Sequence, residues 1–291
     1  MAPVLFLIFN RPEHTARVFE RIRIAKPERL FVHADGPRNT SDVIPCGNAR
    51  DASEKVDWTC DVRRLYRVDN GGVRHGVNSA LDWFFGQVEE GIIVEDDVLP
   101  DPTFFQYCDE LLARYRTEEK IGWIGGFDPQ YGTLPSPESY RFTRFGHIWG
   151  WASWRRVWAQ HDKAMTYWPM ARYSVADPFY RNFGEIAFSN SGWDMPFAMG
   201  CLIRGQMSIS PQSNLTSNIG FDGSGVGCQG VPDYVVKMNS NAPTFPMRFP
   251  LTHPVSIDVE DAAEDFSLAI CHEAWSDVAA ESIRRCQRIS V

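Results

Sequence analysis

The chain contains neither a Gly-x-Gly-x-x-Gly nor a Gly-x-x-x-x-Gly-Lys-Ser/Thr stretch, which removes the dinucleotide fingerprint and the ATPase phosphate loop. It has no Cys-x-x-Cys pair. Its seven cysteines, an odd number, suit neither a disulfide framework nor a zinc site. They read as buried thiols of a reducing compartment, which points to the cytoplasm. Basic charge is in deficit: the net charge of −8 argues against a nucleic-acid partner. Long apolar runs are missing too. The stretch from Pro3 to Phe9 is too short to span a bilayer and follows no basic region, so no transmembrane segment is expected and only peripheral association with a membrane stays open. No internal repeat or low-complexity segment stands out.

What remains is ordinary globular material: 291 residues, 44% apolar and 23% charged, enough for one large domain or two small ones. Val4 to Phe9 reads as a buried strand, and Asn10-Arg11-Pro12 turns into a helix with Pro12 in its first turn. Leu30 to Ala34 is a second strand, stopped by Asp35-Gly36-Pro37. Arg50 to Trp58 reads as helix, and Val62 to Val68 as a third strand before Asp69-Asn70-Gly71-Gly72. A helix over Val77 to Val88 leads into Gly91-Ile92-Ile93-Val94, a fourth strand; Thr103 to Tyr115 is helical and Ile121 to Phe127 a fifth strand. Strands alternating with helices at this spacing predict a mainly parallel sheet with helices on both sides.

The fourth strand runs straight into Glu95-Asp96-Asp97. Three adjacent carboxylates repel one another and are costly to bury without compensation. They form either a solvated loop or a divalent-cation site at the carboxyl end of a central strand, where open α/β sheets place their ligands. Mg²⁺ or Mn²⁺ held by one or two such carboxylates suits a nucleotide-diphosphate substrate. Asn10 and Arg11, Asp35 and Gly36, and Asn70 to Arg74 lie in loops expected at the same rim, although Asn, Asp and Gly are also what turns are made of. The second half is rich in tryptophan. Trp151, Trp154 and Trp158 are spaced to share a helical face, either as core or, with Trp149, as a platform for a saccharide. Asp194, after Trp193, opens a helix over Met195 to Gly200 and is a cap or a general base. The stretch from Pro211 to about Pro246 reads as long loops over the site, His253 as a loop histidine or a late metal ligand, and Asp277 to Gln287 as a closing helix.

Taken together, these stretches resemble a known group. Phe9-Asn10-Arg11-Pro12, Ala34-Asp35-Gly36-Pro37, Val56-Asp57-Trp58, Trp83-Phe84-Phe85, Glu90 to Asp97, His147 to Arg156, Asn214-Leu215, Ser217 to Phe221 and His253-Pro254 are similar to bacterial nucleotide-diphospho-sugar transferases of the GT-A fold, a group often fused to methyltransferase-like domains. More distantly, the chain resembles eukaryotic N-acetylglucosaminyltransferases. The resemblance implies a Rossmann-like α/β fold, with a nucleotide-sugar half over 1–128 and an acceptor half over 129–291 in one continuous domain. It also implies residue roles: Asp97 on Mn²⁺ or Mg²⁺; Glu95 and Asp96 facing the ribose or the metal's waters; Asp35 on the base, with Asn10, Arg11 and Arg74 about the same pocket; Asp194 as base; and Trp149, Trp151 and Trp193 toward the acceptor. The group's Ala-Thr-His-Thr is absent after Asn218-Ile219-Gly220-Phe221, which leaves His253 as the histidine candidate for the metal. Gly125 to Asp128 also departs from the group's Asn-rich version. The implied activity is inverting transfer from a UDP-sugar to a saccharide or glycoconjugate hydroxyl. A sugar-nucleotide pyrophosphorylase and a non-catalytic saccharide-binding module are its rivals.

Overall fold

The structure, a computed structural model, describes residues 1–128, 136–189, 192–220, 246–259 and 264–265. In chain order it holds β1 (Val4–Ile8), α1 (Pro12–Ala25), β2 (Arg29–Ala34), α2 (Val43–Ser53), β3 (Asp61–Tyr66), α3 (Gly72–Phe85), β4 (Glu90–Glu95), β5 (Val98–Pro100) and α4 (Pro102–Arg114). Then follow β6 (Ile121–Gly125), β7 (Tyr140–Thr143), β8 (Trp151–Trp154), α5 (Arg155–Trp158), α6 (Trp168–Ala171), α7 (Pro178–Ser189), α8 (Asp194–Ile203), β9 (Met207–Pro211) and β10 (Thr216–Asn218). An eight-stranded sheet has the order β3-β2-β1-β4-β8-β6-β9-β7. Strands β3, β2, β1 and β4 are parallel, β8 is antiparallel to β4 and β6, β6 is parallel to β9, and β7 is antiparallel to β9. The expected mainly parallel α/β sheet is therefore present.

The local causes are plain in the first half. Every residue of β1, Val-Leu-Phe-Leu-Ile, is buried, as a strand covered on both faces requires. Pro12 starts α1 with its fixed φ, and Lys26 ends it in a left-handed conformation at φ 51°. Asp101 caps α4, its carboxylate accepting from the Thr103 N–H at 2.9 Å ahead of Pro102. Helix α1 packs on α2 and α4, and α3 on α5. The chain winds outward from β1 to β3 and then returns to the other side of β1 as β4, so the loops after β1 and β4 part and leave a crevice. Among the described residues no helix is long and apolar enough to cross a membrane.

Three elements differ from expectation. Helix α2 starts at Val43 rather than near Arg50, because a short 3₁₀ turn at Thr40–Asp42 leads into it, with the Asn39 side chain accepting from Ser41 N–H. Helix α3 starts at Gly72 rather than Val77, because a carboxylate from another loop caps it. Trp151 and Trp154 lie on strand β8 and only Trp158 is helical, so they share no helical face; all three rings are buried. The expected loops over 221–245 and the helix over 277–287 lie outside the described residues.

His161 is 8% exposed and sits between Trp158 and Phe197, at 4.8 and 5.6 Å between ring centroids, with no hydrogen bond at either ring nitrogen. Burial first, then Lys163 and Arg204, lowers its pKa from 6.5 to about 4, against the opposing pull of Asp162 and Asp82. Between these values the unfolded chain binds a proton there that the folded chain refuses, so stability falls as pH drops from 6.5 toward 4. The difference corresponds to at most roughly 3 kcal/mol. His161→Phe should flatten the pH dependence by about that amount, measured as urea midpoints at pH 4.5 and 7.

Candidate functional site

The crevice between the β1 and β4 loops opens into a cavity of about 500 Å³. Its walls include Phe9 and Arg11 after β1, His33 of β2 with Asp35 and Arg38 from the loop after it, and Glu95 at the end of β4 with Asp96 and Asp97 after it. Gly72, Val73, Gly76 and Val77 at the start of α3 line it, as do Asn218 and Gly220 at the end of β10. Strand β10 pairs antiparallel with β5, directly after the acids, and Ile219 N–H donates to the Asp97 carbonyl at 2.7 Å. The Asn218-Ile219-Gly220 stretch is thereby laid across the acid triplet.

The acids are not equivalent. Asp96 is 2% exposed, accepts from Phe9 N–H at 3.0 Å and pairs with Arg11 NH2 at 2.7 Å. Burial raises its pKa to about 6, although Arg11 pulls the other way. Asp97 is half-buried and binds Arg11 NH1 at 2.8 Å, so one guanidinium bridges both acids. Glu95 has its pKa raised well above the usual carboxylate range by desolvation and by the charges of Asp97, Asp194 and Asp96. Asp194 stands in that group from 99 positions downstream in the chain. Trp193, just before it, stacks on Trp151 at 5.6 Å, and Trp151 is paired with Ile93 of β4. That contact brings the first turn of α8 to the carboxyl end of β4. Burial raises the pKa of Asp194, with backbone N–H donors opposing.

The other expected site residues divide. Asp35 lines the cavity, but its carboxylate already accepts from Gly36, Gly71 and Gly72 N–H and from Asn70 Nδ2 at 2.9–3.1 Å, and pairs with Arg67 Nε at 3.1 Å. It anchors the Asn70–Gly72 turn, where Gly72 takes φ +71°, and caps α3. Asn10 turns away from the cavity and donates to Asp42 at 2.9 Å. Asp42 also clamps Arg38, at 2.6 Å to Nε, and Arg38 covers the Phe9 ring at 5.1 Å. Arg38 and Phe9 make a flat, partly cationic wall that the sequence reading missed; the Arg38–Asp42 spacing of four beside Gly36-Pro37 was its available signal. Arg74 donates to the Lys163 carbonyl and lines a neighbouring cavity with Lys163 and Asp82, not this one.

Two acceptor expectations are corrected. Trp151 is 1% exposed and Trp193 3%, stacked on each other in the core, so neither presents a face to a sugar. Trp149 keeps a half-buried ring, packed on Phe127 at 4.8 Å and His147 at 5.9 Å. It lies just ahead of β8, beyond Gly150 with its φ of +69°, its carbonyl accepting from Thr216 Oγ1 at 2.6 Å, and it does not line the cavity. His253 is corrected as well. It bonds the Tyr140 hydroxyl at 2.9 Å and lies 3.6 Å from Glu110, far along α4 from the triplet. The 246–259 segment runs beside β7 and α4, with Ser139 N–H donating to the Thr252 carbonyl and Met247 N–H to Thr103 Oγ1, and this route carries His253 away from Asp97.

A hard divalent cation takes oxygen ligands, and the acidic oxygens that line this cavity beside Arg11 are those of Asp35, Glu95, Asp96 and Asp97. Three carboxylates surround one guanidinium, and burial first, then the charges of Asp97, Asp194 and Asp96, raises the pKa of Glu95. Asp96 is enclosed and bound by both Arg11 and Phe9, whereas Asp97, bound by Arg11 alone and half-buried, is the carboxylate that would hold an ion. Among the described residues no group of three or more His, Cys, Asp or Glu is placed to hold a metal ion, so substrate oxygens and water would have to supply most of its shell.

No protein-family model matches the chain, and neither does any curated protein. Among solved structures it is similar to UDP-glucose pyrophosphorylase complexed with UDP-glucose, at TM-score 0.43 and 10% identity over 82% of this chain and 98% of that one. It is similar also to the inositol-1-phosphate CTP transferase from T. maritima, at TM-score 0.39 and 12% identity over 83% and 97%. The match to HddC from Yersinia pseudotuberculosis has TM-score 0.29 and 10% identity, and spans 43% of this chain and 57% of that one. Likenesses this slight decide neither substrate nor reaction, which rest on the residues of this chain.

Asp35→Asn gives a direct check on the anchoring role. It places an amide N–H₂ among backbone N–H donors, so it should lower stability by about 2–3 kcal/mol. The measurement is the urea unfolding midpoint at constant m-value.

Proposed function

We propose that the chain is an inverting glycosyltransferase, moving a hexose or N-acetylhexosamine from a nucleoside-diphosphate donor, UDP foremost, to a hydroxyl of a saccharide or glycoconjugate. The observation that carries this reading is Asp194. A carboxylate from the second half of the chain, its pKa raised by burial, lies close enough to Glu95 to act on its charge, and Glu95 lines the crevice although Asp194 itself does not. A diphosphate donor fits the cavity with its base against the Arg38–Phe9 wall and its phosphates toward Arg11. The acceptor then enters from the Asp194 side. A divalent cation on Asp97, when bound, would neutralise charge on the departing diphosphate. Asp194 takes the proton from the incoming hydroxyl, and Arg11 adds fixed positive charge on the leaving-group side. Orientation by the cavity walls lowers the barrier further.

A pyrophosphorylase would use the same crevice differently, placing a glycine-rich, basic loop after β1. Here Asn10-Arg11-Pro12 passes straight into α1, and Arg11 is tied to acids. A carboxylate base is also of no use when the nucleophile is a sugar phosphate that is already ionised.

Asp194→Asn should leave UDP affinity within about twofold by calorimetry with Mn²⁺, and lower kcat by roughly 10²–10⁴-fold in a UDP-sugar screen. The base acts when ionised, so kcat of the unaltered enzyme should fall as pH drops through a value above the ordinary aspartate pKa of about 4. Wild-type turnover in Asp194→Asn would move the base elsewhere. Release of pyrophosphate from UTP and a sugar 1-phosphate, with no transfer from UDP-sugars, would establish the pyrophosphorylase instead.

A further inference from the structure

We infer that Arg11 is a built-in cation that competes with a divalent metal for Asp97, so that the metal enters the site together with a nucleoside diphosphate and only weakly without one. This inference rests on the crevice being a nucleoside-diphosphate site and adds how its occupancy is controlled. The guanidinium bonds Asp96 at 2.7 Å and Asp97 at 2.8 Å, and so already supplies positive charge where a metal on Asp97 would bring its own. A dication and a guanidinium on one carboxylate repel each other strongly.

The neighbourhood leaves little room for both. A Cβ built on Gly220 would stand 2.6 Å from Asp97 Oδ2 and 2.9 Å from Arg11 NH1, so the backbone after β10 closes against the pair. The Arg11 backbone is fixed, its carbonyl accepting from Thr15 N–H at 2.9 Å and Thr15 Oγ1 at 2.8 Å at the start of α1. Only the side chain can give way. It lines the cavity, and a guanidinium has five N–H donors, more than two acid contacts require. The phosphates of a bound nucleotide offer it a second anionic partner. As the guanidinium turns toward them, Asp97 is released to the metal, and each ligand strengthens the other by an equal factor.

The experiment counts Mn²⁺ bound, from the loss of the aqueous Mn²⁺ signal in electron paramagnetic resonance. In nucleotide-free protein, Arg11→Gln should bind Mn²⁺ at least tenfold more tightly than wild type. Arg11→Met, a second neutral variant of similar reach, should do the same, while Arg11→Lys stays at the wild-type value and Arg11→Gln/Asp97→Asn loses the gain. UDP should tighten Mn²⁺ binding at least tenfold in wild type and less than threefold in Arg11→Gln. No gain in either neutral variant, or equal tightening by UDP in both proteins, overturns the inference. A protein that binds no UDP at any Mn²⁺ concentration overturns the nucleotide-diphosphate reading instead, while the nucleotide-free comparison still decides whether Arg11 competes with the metal.

Discussion

The bridge from Arg11 to Asp96 and Asp97 is the interaction on which the site depends. The reversal of strand order after β3 parts the β1 and β4 loops, and sequence fills the gap with carboxylates. A buried carboxylate without partners is costly, and a buried pair that loses one member is strongly destabilised, typically by 3–5 kcal/mol. Here the residue three positions past β1 reaches the residues one and two positions past β4, and Phe9 N–H completes the contact. The same bridge therefore balances charge, ties two loops of adjacent strands together and sets the width of the crevice. Strand β10 is then laid over it, with His14 Nε2 3.0 Å from the Ile219 carbonyl on one side and the Asp97 carbonyl bonded on the other.

What could be read from sequence was what is local. Val4 to Ile8 is buried at every position because both faces of β1 are covered, and a run of that composition announces itself. Pro12 and Asp101-Pro102 mark helix starts by chemistry that acts within two residues. The acid triplet was legible for the same reason, at the end of an apolar run. The start of α3 was not, since the carboxylate that caps it belongs to Asp35, 37 positions away from Gly72. Trp151 and Trp154 read as helical because spacings of three and four suit a helix, yet the partner strand β4 holds them extended. Asn10 and Arg11 are adjacent in sequence but serve different walls, one holding Asp42 and the other the acids. His253 shows the opposite error. A metal ligand was sought by residue type, whereas the path of the 246–259 segment past Tyr140 decides where that ring can be.

The four acids differ by environment rather than by type. Asp96 is enclosed and engaged, which makes it part of the framework. Asp97 is half-buried, shares its charge with Arg11 and borders the cavity, which makes it the carboxylate a cation can reach. Glu95 and Asp194 have neither arginine nor lysine in direct contact among the described residues, and both carry raised pKa values.

Two such neighbours resist ionising together, and their protons come off as those of a pair. Glu95 is the harder to ionise, because it faces Asp97, Asp194 and Asp96 at once, whereas backbone N–H groups at Met195 and at Asp194 itself favour the charged form of Asp194. Those donors, and the N-terminus of α8 where the helix dipole favours an anion, favour the charged form at Asp194 more than at Glu95. A carboxylate on a rigid helix beside a second buried carboxyl is the arrangement on which the proposed base rests. A helix cap needs only the backbone contacts. The second carboxyl beside it is what a cap alone leaves without a purpose.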